Sequence, residues 1–446
     1  MAALALMTAA CSNDDNDFAQ QPQKAEGITI TAQLAPKTNG TTTRAVEDKT
    51  TYIEAKWAEN EHIAILYEVS STKYVANATI TAVDGTTGAA TISFTVEAGT
   101  PNNTACTLVY PYSAAKDDHS GVKDAATLLA AQDGTLNDNL DVRVGEGTIQ
   151  TTTPGLTVTP QPAAQFAIFK FTIQNISGTD KEVTKFKVSD NSGNVITTVT
   201  PSPASGALYV ALPALATGTY WFNATIDSKP YIAKATVGTA TTASNYYQST
   251  VKMATFGDFI LSDGKLAPSS STGTKVAMIA YVGSDNGEAA PYNHGLALAL
   301  SDANSGNGCY WRTTNDDAGH TKQHDKDNFE SEGGLQYNAL HNTNIDDYPA
   351  FKAAIANNGT AAPTGCSAWF LASGYQWAKM FTAAGGAANL KTSAAPYTGL
   401  KSDSHYWSSS EVDAVYAYSF ESAGGWDDST DKADCYAYLV RSCLAF

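Results

Sequence analysis

The sequence has few basic residues, no long apolar run and few cysteines, and these shortages narrow the possible functions. Lysine and arginine together number 27 against 44 aspartate and glutamate residues, which gives the 446-residue chain a formal net charge of −17. Nucleic acids and anionic membranes need a basic surface on their partner, so neither is an expected partner. The apolar run from Met1 to Ala10 is far too short to span a bilayer.

Signatures of common catalytic and metal sites are also missing. The sequence contains no Gly-x-Ser-x-Gly elbow, phosphate-binding loop or metalloprotease helix. His320 and His324 are four residues apart, but no cysteine pair accompanies them as a zinc site would require, and no calcium-loop signature is present. Acidic residues are common, yet no spacing among them selects a glycosidase pair. The sequence therefore predicts a protein that is not an enzyme and holds no metal or cofactor.

The residues that are present favour a large, mainly β protein. Charged residues make up only 16% of the chain, which suits strands joined by polar turns. A chain of this length is too long for one core, and the strand patterns predict β-sandwiches at residues 45–160 and 161–253. Ile53 to Trp57 is a predicted strand. Phe166 to Ile173 is apolar enough to predict a strand covered on both faces.

The N-terminus resembles a bacterial lipoprotein signal in residues 1–10, followed by Cys11. The resemblance implies an exported precursor that is lipidated at Cys11 and anchored in the outer membrane. The pattern departs from that signal in lacking a basic start and in having Thr8 three residues before the cysteine. An acidic tract, Ser12 to Asp17, follows and resembles the export tract of Bacteroidales lipoproteins. An ordinary Ala-rich N-terminus followed by a solvated linker remains an alternative.

Residues 11–44 contain one isolated strand pattern. Four apolar residues alternate with polar ones and predict a half-buried strand: Ile28, Ile30, Ala32 and Leu34. The polar tract Pro36 to Thr43 predicts a flexible loop, which leads to Arg44. A strand attached through an exposed loop could be replaced by a strand of another chain. Arg44 is either a surface arginine without a role or the protease site that the family resemblance described below implies, and the two interpretations fit equally well.

Residues 254–446 have a mixed α and β pattern. Ser373 and Gln376 have capping-box spacing, and Gly385 can end the helix that they begin. A second helix is predicted at Pro349 to Ala356. The expected buried pair of that helix is Phe351 with Ile355, and Gly359 is its expected end.

A terminal strand is predicted at Tyr438 to Phe446, and it limits the cysteine pairs. If Cys435 and Cys443 lie on one strand, their Cα atoms are about 26 Å apart, too far for a disulfide. Two of the three possible sets of disulfides among Cys309, Cys366, Cys435 and Cys443 stay open. The alternative that all four are free thiols also stays open. Cys106 is predicted to be a buried, unpaired residue.

Three segments of residues 254–446 resemble the C-type-lectin-like module that ends many fimbrillin-family proteins. They are Trp369-x-Leu371-x-Ser373-x-x-x-Trp377, Trp407-Ser408-Ser409-Ser410-Glu411 and Tyr438-x-Val440-Arg441. Ala372 and Gln376 depart from the proline and glutamate that are common in the family. Trp57 followed by Glu61 to Ile65, with Tyr110-Pro111-Tyr112 later, resembles the N-terminal domain of the same family.

The resemblance implies a fold class and a function. The expected fold is two transthyretin-like β-sandwiches followed by a C-type-lectin-like domain at 254–446. The expected function is a subunit of a type V pilus, from which an arginine-specific protease removes the first strand so that another subunit's strand can replace it. Stalk subunits donate a strand from the C-terminus; a C-terminus folded into a domain therefore implies a tip subunit that accepts a strand.

Two other functions remain open. The first is a cell-surface glycan-binding lipoprotein that is not part of a pilus. The second is an enzyme of the formylglycine-generating type, which shares the lectin-like core, although the Arg-Gly-Gly-Ser-Trp segment of those enzymes is missing.

Aromatic residues beside carboxylates predict a surface that binds a glycan or protein ligand. The candidates are Trp407, Glu411, Trp426, Asp427 and Asp428. Aromatic rings stack on sugar faces while carboxylates accept hydrogen bonds from hydroxyl groups. Trp311 lies in a similar polar setting. The alternative is that Trp407 anchors its own segment in the core while the acidic residues are only solvated.

Overall fold

The computed structural model describes residues 27–37, 47–48, 53–54, 56–392 and 394–446. Among these residues, strands greatly outnumber helices, and the helices of more than one turn are concentrated near the C-terminus. The chain is therefore mainly β with a C-terminal α+β region, as predicted. No helix in the described part of the chain is long and apolar enough to cross a membrane.

The first region is built on one large antiparallel sheet. Its elements are β1 (Ile28–Leu34), β2 (Glu47–Asp48), β3 (Ile53–Glu54), β4 (His62–Val69), β5 (Thr72–Val83), β6 (Ala90–Val96), β7 (Thr104–Tyr110), α1 (Ala125–Ala130), β8 (Arg143–Gln150), β9 (Gly155–Val158) and β10 (Ala163–Ala164). The sheet order is β1-β6-β5-β4-β7-β8-β10, with β9 paired to β8. The sheet folds over on itself, so that β9 lies next to β1 with Cα atoms within 8 Å. The predicted strand Ile53 to Trp57 is wrong in extent, since Trp57 enters the core from outside any strand.

The second region is a sandwich of two smaller sheets. Its strands are β11 (Ala167–Asn175), β12 (Lys185–Asp190), β13 (Val195–Val199), β14 (Ala207–Leu212), β15 (Gly218–Ile226), β16 (Lys229–Val237) and β17 (Tyr246–Met253). One sheet has the order β14-β11-β17 and the other β13-β12-β15-β16. The prediction that the strand after Phe166 is covered on both faces is wrong. Buried and half-buried residues alternate along β11, so one face lines the core and the other is partly open.

The C-terminal region contains two sheets and three helices. Its elements are β18 (Phe259–Leu261), β19 (Leu266–Ala267), β20 (Lys275–Val282), β21 (Gly295–Ala299), α2 (Gly334–Leu340), α3 (Pro349–Ala356), β22 (Phe370–Leu371), α4 (Gly374–Ala384), β23 (His405–Glu411), β24 (Tyr416–Glu421), β25 (Trp426–Asp431) and β26 (Ser442–Ala445). The larger sheet has the order β19-β18-β20-β21-β26-β22, and the smaller one is β23-β24-β25.

The two predicted helices of this region form, with differences at one of them. The capping box of Ser373 and Gln376 is present at the start of α4, and Gly385 ends that helix in the left-handed conformation. Helix α3 spans Pro349–Ala356, as predicted. The residue that caps its C-terminus is Asn357, in the left-handed conformation, and not the expected Gly359. Ile355 is 37% exposed, so the predicted buried pair is wrong. Ala354 faces the core instead and lies in one apolar cluster with Ala350 and Phe351.

The terminal strand is shorter than predicted, and Cys435 lies outside it. Strand β26 spans only Ser442–Ala445, so Cys435 does not share a strand with Cys443 and the 26 Å spacing does not apply. All five cysteines in the described part of the chain are free thiols. Cys106 is buried, as predicted.

Apolar side chains join the three regions to one another. One cluster combines Leu129 and Val142 of the first region with Phe166 and Ala211 of the second. Another combines Trp221 of the second region with Leu444 and Phe446 of the C-terminal region. Each region therefore contacts its neighbour through a hydrophobic interface.

Candidate functional site

Strand β1 lies at the edge of the first sheet and has the alternation that the sequence predicts. All seven residues pair antiparallel with β6, from Ile28 opposite Val96 to Leu34 opposite Ala90. Ile30 and Leu34 are fully buried, Ala32 is 8% exposed, and Ile28 packs partly buried against the same core. The strand therefore combines a complete main-chain ladder on one side with an apolar face.

The other side of β1 faces the opposite end of the folded-over sheet. Strand β9 runs close to it but pairs with β8. Strand β1 thus fills the space between β6 and β9 and closes the core there. Removing it would uncover the apolar residues that it contacts and leave the β6 edge without its ladder, which is the geometry that β-augmentation requires.

The residues directly after β1 are held more tightly than the sequence suggests. The Trp57 Nε1–H donates to the Ala35 carbonyl at 3.0 Å, and the Ala35 N–H donates to Gln161 Oε1 at 3.3 Å. Lys37 is only 7% exposed. The predicted flexible loop therefore cannot begin at Pro36. Trp57 is 3% exposed and belongs to the core.

Two predicted processing residues lie outside the described part of the chain. They are Cys11, the predicted lipidation site, and Arg44, the predicted protease site. Both stay predictions.

The C-terminal strand is fixed inside the larger sheet of the C-terminal region. Strand β26 pairs with β21 on one side and with β22 on the other. The carbonyl of Phe446 accepts hydrogen bonds from the N–H groups of His294 at 2.7 Å and Gly295 at 3.1 Å. The Phe446 side chain is 1% exposed and packs near Trp221 of the second region. This segment is part of the core.

The five residues predicted to bind a ligand do not form one surface. Trp407 and Glu411 both lie on β23 and are fully buried, so neither can contact a ligand in this structure. Trp407 donates from Nε1 to the Cys309 carbonyl at 2.9 Å, which is the anchoring role considered as its alternative. Trp311, also considered as a ligand platform, is fully buried as well.

The other three candidates lie together on β25 and are closer to solvent. Trp426 is half-buried with its ring centre 4.6 Å from that of Phe329. Asp427 accepts hydrogen bonds from Ser429, and Asp428 is exposed with a carboxylate oxygen 3.9 Å from Lys326 Nζ. Of the five residues predicted to bind a ligand, only these three are accessible to solvent.

Two tyrosines that no sequence pattern singles out form an aromatic pair at the surface. Tyr436 is 67% and Tyr310 is 37% exposed, and their ring centres are 6.2 Å apart. Neither tyrosine lies in a periodic pattern, and they are 126 residues apart in sequence (436 minus 310). No local pattern could therefore have indicated that they meet.

Glu411 is the centre of a buried polar network. Its carboxylate forms ion pairs with Lys322 and Lys432 and accepts hydrogen bonds from the N–H groups of Ala318 at 2.8 Å and His320 at 3.3 Å. Burial lowers the pKa of Lys432, and the contact with Glu411 opposes that effect. A buried carboxylate with two cations and two N–H donors is compensated, so Glu411 holds the loop before α2 against β23.

Two buried histidines lie beside this network. The Nε2 atoms of His320 and His341 are 2.6 Å apart, and His320 Nδ1 is 2.9 Å from the Ser409 carbonyl. A carbonyl only accepts, so neutral His320 donates from Nδ1 and accepts at Nε2 from His341. Burial lowers the pKa of both histidines from 6.5, to about 2 for His320 and to about 4 for His341. Among the described residues, no group of three or more metal-ligating side chains surrounds them or any other point.

We expect the histidine pair to make the C-terminal region sensitive to acid. In the unfolded chain both side chains take up protons below about pH 6.5, whereas the folded state keeps them neutral, so stability falls as pH falls. Replacing His341 with glutamine, which can still donate to His320, removes one such group. Between pH 7.5 and 5 the wild type should lose about 2 kcal/mol more unfolding free energy than His341→Gln. Urea titrations across this range measure the difference, and two parallel curves would contradict the assignment.

Comparisons with known proteins give only distant likenesses. No protein-family model and no curated protein matches the chain. The match to a fimbrial protein of Bacteroides ovatus spans 94% of this chain and 99% of that protein, at 12% identity and a TM-score of 0.35. The match to a candidate cell adhesion protein of Bacteroides uniformis spans 52% of this chain and 97% of that protein, at 14% identity and a TM-score of 0.28. The match to the shaft pilin of Lactobacillus rhamnosus GG spans 51% of this chain and 97% of the pilin, at 12% identity and a TM-score of 0.23. Because every one of these TM-scores is below 0.5, the function proposed below rests on the geometry of this chain.

Proposed function

We propose that this chain is a pilus subunit that is assembled by strand exchange and ends the filament. The observation that carries the proposal is the position of β1. The strand is at a sheet edge and contributes buried side chains to the core. A strand of a neighbouring subunit with the same alternation would restore both the ladder to β6 and the core.

The position at the end of a filament is supported by β26. A subunit inside the filament must accept one strand and give another. Strand β26 has partners on both edges, and releasing it would separate β22 from the larger sheet of the C-terminal region and leave β21 unpaired on that side. The chain can therefore accept a strand at β6 without giving up β26.

Processing at Arg44 is the first step of this proposal. Replacing Arg44 with alanine should leave the precursor uncut and absent from pili, because β1 then stays tethered and occupies the site for the incoming strand. Immunoblots of purified pili and of whole cells measure both effects. The matched control is Lys56→Ala, which changes an exposed basic residue beyond the loop and should assemble normally. Normal assembly of the Arg44 variant would rule out cleavage at this residue.

Export as an outer-membrane lipoprotein completes the proposed route. Cys11 would carry the lipid that holds the precursor at the membrane before the chain joins the filament at the cell surface. Labelling of cells with a radioactive fatty acid checks this step, since a Cys11→Ser chain should take up no label.

The proposed adhesive surface is the part of β25 that reaches solvent. Trp426 offers a half-buried ring, and Asp428, two residues farther along the strand, provides a carboxylate on the same face, whereas Asp427 lies on the opposite face. A glycan ligand would use both features. The intact chain should therefore bind members of a glycan array, and Asp428→Asn should weaken that binding while leaving the fold unchanged. An array without binding would favour a protein ligand or no ligand.

A further inference from the structure

Lys37 lies three residues after the last apolar residue of β1 and has an unusual environment. Its side chain is fully buried. The Nζ atom lies 3.7 Å from the centre of the Tyr110 ring and 4.4 Å from that of Trp57. The same atom is 3.2 Å from Asp141 Oδ2 and 4.0 Å from Glu61 Oε2. We call Trp57, Tyr110 and Asp141 the cation cage.

Most of the contacts that hold the cation cage in place do not involve β1 or the residues that leave with it. The Trp57 and Tyr110 rings are nearly perpendicular at 88°, with centres 5.2 Å apart. The Tyr110 hydroxyl donates to Glu61 at 2.9 Å. Arg143 Nε donates to both carboxylate oxygens of Asp141 at 2.8 and 3.0 Å. The walls of the cage therefore belong to the part of the first region that stays behind when β1 leaves.

The charges of the cage favour a cation in it. Lys37 and Arg143 both contact the buried carboxylate of Asp141, and Lys37 Nζ also lies near Glu61. Removing Lys37 takes one cation away from a carboxylate that is shielded from water, which is costly. The two ring faces add a cation–π attraction that is stronger in such a site than at a surface. Burial lowers the pKa of Lys37, and the two carboxylates oppose that effect.

A second set of contacts next to the cage is independent of side-chain identity. Trp57 and Gln161 bind the carbonyl and the N–H of Ala35, which any residue other than proline could offer. These contacts fix where a strand ends along β6. The side chain two residues farther on then points to the cage, as that of Lys37 does.

We propose that the cation cage is a recognition site for a lysine or arginine side chain of the incoming strand, and that Lys37 occupies it until β1 is released. This inference rests on the proposed strand exchange and adds a specificity to it. Partner strands should carry a basic residue three positions after their last buried apolar residue. A strand with a neutral or acidic residue there would be rejected even if its apolar alternation fits.

The test uses the full chain with a specific protease site placed within residues 38–43. After cutting, β1 stays bound until a labelled peptide of residues 27–37 replaces it. The peptide with Lys37→Arg should bind within a few-fold of the unaltered peptide, and the peptide with Lys37→Met at least tenfold more weakly. The control peptide, Gln33→Met, changes an exposed position and should bind as well as the unaltered one. Equal affinities for the unaltered peptide and the Lys37→Met peptide would overturn the proposed recognition.

Failure of strand exchange itself would look different. In that case no peptide would replace the bound segment, whatever its residue at position 37, and the role in recognising an incoming strand would be overturned as well. The uncut chain then shows whether the cage binds a cation at all. Asp141→Asn should destabilise the first region in the presence of Lys37 but much less in a Lys37→Met chain, whereas equal effects in both chains would contradict the cage.

Discussion

Replacing Arg441 with methionine is expected to destabilise the C-terminal region by about 3–5 kcal/mol. The guanidinium is fully buried and binds Asp302 Oδ1 from Nε at 2.9 Å and from Nη2 at 2.7 Å. It also donates to the carbonyls of Ala299 at 3.0 Å and Gly399 at 2.7 Å. Methionine fills much of the same space but removes the cation that Asp302 contacts directly and the donors that Arg441 provides to the two carbonyls. A loss of this size is a large share of the stability of an ordinary domain.

Lysine should not rescue this position. Arg441 contacts three separate acceptors through a planar fork, and a single ammonium group cannot reach all of them. The matched control is Lys401→Met. Lys401 Nζ is 3.9 Å from the same aspartate, but its side chain is 51% exposed, so its loss should cost no more than about 1 kcal/mol. Urea unfolding followed by tryptophan fluorescence compares the two, and equal losses would contradict the role assigned to Arg441.

The parts of the fold that the sequence predicts correctly are those decided by nearby residues. The start of α4 depends on Ser373 and Gln376, three residues apart, and both hydrogen bonds of the capping box form. The alternation from Ile28 to Leu34 likewise decides which side of β1 is buried, whichever strand pairs with it. Helix α3 has its predicted bounds for the same reason, since Pro349 favours the first helical position.

The candidate sites were harder to predict because they depend on residues far apart in the chain. Glu411 is expected at the surface on its own, and only the distant cations of Lys322 and Lys432 allow it to be buried. Lys37 follows the same principle, since its cage comes from residues at positions 57, 110 and 141. A charged side chain is expected at the surface unless the residues that would compensate it in the core are known. A single sequence does not identify such residues when they are far away in the chain.

The retention of β1 should depend strongly on two of its side chains. Ile30→Ala and Leu34→Ala should each lower the stability of the first region by about 2–5 kcal/mol, because both side chains are fully buried in its core. Thr31→Ala on the same strand is the control. Thr31 is exposed, so its replacement should change stability by no more than about 0.5 kcal/mol. Unfolding of the three variants in urea gives these differences directly.

The same variants separate the main-chain and side-chain contributions to strand exchange. All of them keep the ladder to β6, so any difference in how long the severed strand stays bound comes from the core. A loss of about 2–5 kcal/mol corresponds to binding that is weaker by a factor of roughly 30 to several thousand. Severed chains with Ile30→Ala or Leu34→Ala should therefore lose β1 on gel filtration under conditions in which the Thr31→Ala chain keeps it. If all three keep the strand equally well, its apolar face does not hold it, and the chain would lack the means to select a partner strand by its apolar side chains.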